Sequence, residues 1–172
     1  MGSFTATYRI PKAKIPVRML LRNRTLQRLE LFVPLRMARD PQGKVVRDLL
    51  EQDRPFFPAR DQDSDSFLLI QRDAVVWAAV DKVLESEIEH IELYDRHVWV
   101  RVELQDGSRL EGELFYTAPT ARARVMDHLN GPERFFFLHR EDRLVLVSKA
   151  YVICVVEQPH AGTPTEESDA EA

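Results

Sequence analysis

One cysteine, Cys154, occurs in the 172 residues, so no disulfide can form within the chain. A reducing compartment fits this, and a cytoplasmic location is the expectation. The six glycines are scattered, which excludes the glycine-rich loop that cradles phosphates. No run of about 18 apolar residues exists, so no membrane-crossing helix is expected. The first residues, Met1 to Ile15, are too polar for a secretory signal. The five histidines, His90, His97, His128, His139 and His160, lack the paired spacing of metal ligands. No metal and no cofactor are therefore expected.

Catalytic constellations are equally scarce. A nucleophile needs a base and an orienting group beside it. Cys154 lies in the apolar run Val152-Ile-Cys-Val-Val156, where a buried structural thiol is expected. His128 directly follows Asp127, and adjacent helical residues point apart, so they make no dyad. The expectation is a chain that is not an enzyme.

Charge is present but uneven. Residues 1–47 hold eleven Lys or Arg and only two acids, Glu30 and Asp40. The segment from Pro159 to Ala172 holds four acids and no Lys or Arg. A basic first quarter suggests a surface for an anionic partner. The last segment, 159–172, has no large apolar residue and reads as a disordered acidic tail.

The chain resembles itself. Set 83 positions apart, Val17, Arg18 and Leu21 meet Val100, Arg101 and Leu104, and Glu30-Leu31-Phe32 meets Glu113-Leu114-Phe115. At 79, Val46, Asp48 and Leu50 meet Val125, Asp127 and Leu129, and Phe56-Phe57 meets Phe135-Phe136. At 77, Phe67–Ile70 meets Leu144–Val147, and Val75-Val76 meets Val152-Ile153. The offset changes only between periodic segments, where loop length is free to vary. Such self-similarity predicts one small unit used twice.

Each unit reads as strand, strand, short helix, strand, strand, strand. Val100, Val102 and Leu104 alternate with polar residues, and Val17, Met19 and Leu21 repeat that inner face. Asp106-Gly107 suits a tight hairpin. Asn23-Arg24 stands at the same place in the first unit, and arginine is poor at positive φ, so a longer or different turn is expected there. The helices rest on Val46 with Leu50 and on Val125 with Leu129. Short, strongly apolar strands favour closure, which removes exposed edges. The predicted fold is mostly β: two tandem five-stranded small barrels, SH3-like in type, at 13–82 and 100–158. A connecting segment, 83–99, joins them, and its residues 83–97 are not assignable to helix or strand. Val75–Val80 and Val152–Val156 are apolar on both faces, which predicts that the units pack on one another as an internal pseudo-dimer about a two-fold axis.

The stretch Val102-Glu-Leu-Gln-Asp-Gly-Ser-Arg-Leu-Glu-Gly-Glu-Leu114, with the later Leu144–Val156, resembles the two motifs of the Sm-like small β-barrel family. Members of that family bind RNA in rings. The resemblance implies contacts from an Asp and an Asn after strand two, here Asp127 and Asn130. It also implies contacts from an Arg-Gly turn before strand five, where this chain has Lys149-Ala150.

Three functional readings follow. The first is a non-catalytic adaptor, binding another protein, whose basic N-terminal unit presents Arg18, Arg22, Arg24 and Arg28. The alternative is an RNA or single-stranded nucleic-acid binder using Asp127, Asn130 and Lys149. A distant third is a cyclic-dinucleotide barrel of the PilZ type. Arg18–Arg22 and Arg24–Arg28 each have its R-x-x-x-R spacing, but Asp106–Gly112 is one residue too long for its second element. Self-association is compatible with each. Arginines interleaved with exposed aromatic rings favour nucleic acid. Arginines standing alone or paired with acids favour protein.

Overall fold

A computed structural model describes residues 12–82, 94–117 and 124–159. The tail from His160 and residues 83–93 of the undecided stretch 83–97 lie outside the described residues. The elements run β1 (Lys12–Leu21), β2 (Leu26–Pro34), α1 (Gln42–Glu51), β3 (Phe56–Asp61), β4 (Phe67–Gln71) and β5 (Val75–Asp81). There follow β6 (Arg96–Leu104), β7 (Arg109–Tyr116), α2 (Val125–Leu129), β8 (Phe135–His139), β9 (Arg143–Ser148) and β10 (Val152–Gln158). The chain is mostly β, with a short helix between the second and third strand of each five, as the apolar spacing predicts. β6 begins at Arg96, so the last four residues of the expected connecting segment are strand.

Alternation explains the first hairpin. Ile15, Val17 and Met19 are buried, while Lys14 before them and Pro16 between them are exposed. Leu29, Leu31 and Val33 of β2 turn to the same core. The hairpin β6–β7 does the same with Val100, Val102, Leu104 and Leu114. On α1, Val45, Val46 and Leu50 face inward, and Lys44 is left to pair with Asp48 at 3.1 Å. The short α2 starts where the Asp127 carboxylate accepts the Arg124 backbone N–H at 2.9 Å.

Two closed barrels are not what the hydrogen bonding builds. The ten strands form one antiparallel sheet in the order β10-β6-β7-β8-β9-β5-β1-β2-β3-β4. Each group of five keeps the same internal order, its fifth strand beside its first. The groups are joined by β5 and β9, paired from Trp77↔Val147 to Asp81↔Arg143. This corrects the expected two-fold pseudo-dimer. A two-fold axis would pair like strands, whereas the joint pairs the fifth strand of one group with the fourth of the other.

Of the two doubly apolar strands, β5 is covered on both faces through this joint, whereas β10 is the last strand of the sheet and is not. Phe135, Phe137, Leu144 and Leu146 belong to the core of β1–β5 and α1. Their sequence neighbours Phe136, Leu138, Val145 and Val147 belong to the core of β6–β10. Val76 and Ala79 of β5 join that second core, with Leu20 and Trp77 packed against it. The Glu51 carboxylate at the end of α1 accepts the backbone N–H groups of Arg134 and Phe135 at 3.1 and 2.9 Å, tying the groups again.

The two hairpin turns are alike, against expectation. Leu21 N–H donates to Thr25 O at 3.0 Å, and Leu104 N–H to Ser108 O at 2.9 Å. Asn23 Oδ1 accepts Thr25 N–H as Asp106 Oδ1 accepts Ser108 N–H. Arg24 takes φ 67° where Gly107 takes φ 83°. The Asn23 side chain and the strand pairing hold an arginine in a conformation that costs a non-glycine residue about 1–2 kcal/mol. Arg24→Gly is therefore expected to raise unfolding stability by roughly 0.5–1 kcal/mol, the remainder being lost to glycine's greater unfolded-state entropy. Denaturant midpoints check this.

Candidate functional site

Alternation places Arg18 and Leu20 on one side of β1, and Arg22 follows in the turn after it. Leu20 turns into the second core, and this divides the arginines into two places. Arg18 stands opposite Arg28 across the hairpin. The Leu21–Thr25 bond sets the ladder phase, which makes Arg18–Arg28 a non-hydrogen-bonded pair, the kind whose side chains approach more closely. Like charges there repel. Asp63, from the loop after β3, relieves this by an ion pair with Arg28. That bond and the Asp63 charge raise the guanidinium pKa above its ordinary value. Arg18 and Arg28 line a shallow hollow with Gln62, Ala79 and Asp81.

Arg22 and Arg24 lie at the hairpin tip, in a second hollow with Val76, Gln105, Asp106 and Tyr151. The fold thus brings Arg22 and Arg24 to Asp106, far from them in sequence. The Asp106 carboxylate is already engaged. Ser108 donates to it from both its hydroxyl, at 2.6 Å, and its backbone, which holds its pKa below the ordinary value. Tyr151 is tied down by donating its hydroxyl to Asp73 O.

Among the described residues Arg18, Arg22 and Arg24 make no ion pair, while Arg28 is paired with Asp63. The neighbouring cations on this side of the sheet are paired with acids too: Lys14 with Glu30 at 3.0 Å and Arg60 with Asp65 at 3.2 Å. Among the described residues, none of the exposed rings Phe56, Phe67 and Trp99 lines either hollow.

The residues expected to touch nucleic acid are scattered in role. Asp127 opens α2, and the Asn130 N–H closes it by donating to Met126 O at 2.9 Å. Lys149 meets the end of the same helix, donating to Gly131 O, next to Asn130, at 3.1 Å, in a cleft lined also by Arg47, His128, Glu133 and Phe137. Burial lowers the pKa of Lys149, and burial followed by the Lys149 charge lowers that of His128. The Phe135–Phe137 rings are buried, so they offer no open face for a base.

Cys154 is exposed, not buried as its apolar surroundings predict, because β10 is the last strand of the sheet. Partial loss of water contact and the Glu103 carboxylate, which accepts the thiol hydrogen at 3.5 Å, push the thiol pKa up. Sequence reasoning also missed Asp63, a loop residue with no motif around it. It missed the exposure of Phe67 and Leu69 as well, because Phe67-Leu-Leu-Ile70 reads as a buried run. Among the described residues no three His, Cys, Asp or Glu side chains gather to hold a metal, and no helix is long and apolar enough to cross a membrane. No family model, curated protein or solved structure matches the chain.

Proposed function

We propose that this chain is a non-catalytic protein-interaction module, two small β units in tandem, that holds an acidic segment of a partner protein along the β1–β2 hairpin. The observation that carries this reading is the state of the four arginines. Arg18, Arg22 and Arg24 carry charge that no acid neutralises by an ion pair among the described residues, and Arg28 is matched to Asp63. Among the described residues, none of the exposed rings Phe56, Phe67 and Trp99 is interleaved with them, and the Tyr151 ring in the Arg22–Arg24 hollow is tied by its hydroxyl to Asp73 O, which disfavours a stack of bases. Paired charges around the free ones give a mixed-sign surface of the kind that protein partners meet with complementary charge.

Arg18→Glu with Arg22→Glu tests it. Both side chains are on the outer side of the hairpin, so the thermal midpoint should stay near the wild-type value. Capture of the partner by immobilised protein should be lost and should survive nuclease treatment in the wild type. Binding should weaken as salt rises, because the contact is between exposed charges. Capture that nuclease abolishes would replace the reading by the nucleic-acid alternative. Capture unaffected by the double substitution would remove the hairpin from the interface.

A further inference from the structure

The outer face of the first group, opposite its core, is apolar at one end and basic at the other. Alternation puts Phe56, Pro58 and Arg60 of β3 on this face, because Phe57 and Ala59 between them turn into the core. Leu69 and Phe67 of β4 share it, opposite Pro58 and Arg60. Phe32 of β2 joins them, its ring 6.1 Å from that of Phe67. Phe56, Phe67 and Leu69 are 55%, 64% and 65% exposed. A single exposed apolar side chain needs no explanation, but three gathered on one sheet face mark a contact surface.

The face changes character along the strands. Lys14 stands opposite Phe32, Pro16 opposite Glu30 and Arg18 opposite Arg28. Glu30 pairs with Lys14 and Arg60 with Asp65, so the strip between the rings and Arg18 is neutralised. Glu30 and Asp65 also oppose a phosphate backbone laid over the rings. Beyond this strip come Arg18 and then, at the hairpin tip, Arg22 and Arg24.

The second group shows what covers such a face. Phe135 and Phe137 stand 79 positions after Phe56 and Pro58, and Leu144 and Leu146 stand 77 after Phe67 and Leu69. Phe135, Leu144 and Leu146 are 4%, 3% and 0% exposed. A helix lies against them. Arg47 of α1 sits over the Phe137 ring, 5.2 Å from its centre, and a Cβ at Gly43 would run into the Leu144 side chain. Val45, Val46 and Leu50 of α1 share the same core with them. Among the described residues no helix covers Phe56, Phe67 and Leu69 in this way. A second copy has none to lend: its α1 is spent on its own Phe137 and Leu144, and α2 is five residues long with Val125 in the second core.

We infer that the acidic segment of the partner protein continues as an amphipathic helix, whose apolar stripe covers Phe56, Phe67 and Leu69 while its acids reach Arg18. For its charged end this rests on the hairpin reading above. Arg18 is four residues along β1 from Lys14, which faces Phe32, a span of about 14 Å. A helix lying along the strands rises about 1.5 Å per residue, so its acids stand about nine residues beyond its apolar anchor. The apolar stripe supplies the buried centre of the contact, and the arginines select which way the helix runs.

Fluorescence anisotropy on the full chain tests this. The probe is a labelled helical peptide with Leu at three- and four-residue spacing in its first half and Glu at the same spacing in its second. A scramble of the same composition is the control. The peptide should bind about tenfold or more tightly than its scramble. Phe67→Ser with Leu69→Ser should weaken it about tenfold or more, with an unchanged thermal midpoint, since both side chains point outward. Arg18→Glu should weaken it in low salt and matter less in high salt. Ile153→Ser, on the last strand at the other end of the sheet, should change nothing. Equal affinity for the scramble overturns the proposal. Binding that ignores the serines and is lost with Arg18→Glu also overturns it, and leaves the hairpin reading standing. Binding that is lost with the serines and ignores both Arg18→Glu and salt separates the rings from the hairpin and overturns the single segment. Competition by a single-stranded oligonucleotide would give the face to nucleic acid, and a multimeric wild type returned to one copy by the serines would give it to a second copy; either result overturns the helix.

Discussion

Residues 1–82 and 83–172, expressed separately, are each expected to aggregate, and refolding them together should recover one soluble 1:1 complex. Each half would lose a share of its core. The first would be without Phe135, Phe137, Leu144 and Leu146, all buried in the core of β1–β5. Exposing such a side chain costs about 1.5–3 kcal/mol, so the four together are worth on the order of 8 kcal/mol. That is comparable to the whole stability of a typical domain, about 5–15 kcal/mol. The Glu51 carboxylate would also lose both of its N–H donors. Two soluble monomers with independent, sharp unfolding transitions would show that each core is sufficient without the other.

Leu146→Ala is expected to destabilise the whole chain by about 3–4 kcal/mol, the range for a fully buried leucine whose site cannot collapse. For a chain of this size that lowers the thermal midpoint by roughly 6–15 °C. Leu146 is encoded in the second group and packed in the core of the first. Both groups should therefore melt together. Trp77 of β5 and Trp99 of β6 report the two sides, read singly in Trp77→Phe and Trp99→Phe backgrounds. If the substitution shifted the Trp99 signal and left Trp77 at its wild-type midpoint, the cores would be separate.

Much of this fold was legible residue by residue. Alternation in Val17, Met19, Leu21 and in Val100, Val102, Leu104 located the hairpins, and the pairs Val46–Leu50 and Val125–Leu129 located both helices. The doubly apolar character of Val75–Val80 announced that something covers its outer face. It did not say what, since alternation reports that a face is dry and not which strand dries it. The pairing of β5 with β9 is a long-range choice between edges of similar composition, so a linear sheet and two closed barrels read alike in the sequence. The same blindness hid the ends of the sheet. Phe67–Ile70 and Val152–Val156 look like buried runs because their counterparts are buried, and only the strand order shows that these two are outermost.

The site was legible in part. Sequence spacing put Arg18 and Arg22 on one face of the first strand, but β1 ends at Leu21 and Arg22 stands in the turn beyond it. The intervening Leu20 enters a core formed mostly by residues far away in sequence, and so the two arginines sit in different hollows. Arg24 shows the reverse case. Its side chain argued against a tight turn, and the pairing of the two strands imposed one at φ 67°.

Native-state hydrogen exchange at the joint is the most direct measurement of a single continuous sheet. Ala78, Val80, Leu144 and Leu146 exchange N–H···O bonds across β5 and β9, by the phase that the Lys82–Asp142 bond sets. Val17 and Leu29 do so within the first hairpin. In a body that opens only as a whole, all six amides exchange through global unfolding with the same protection. Protection at Ala78, Val80, Leu144 and Leu146 equal to that at Val17 and Leu29 is the expected result. Exchange at those four amides tenfold or more faster than at Val17 and Leu29 would mean that the joint opens by itself, and that the two groups are separate bodies in contact.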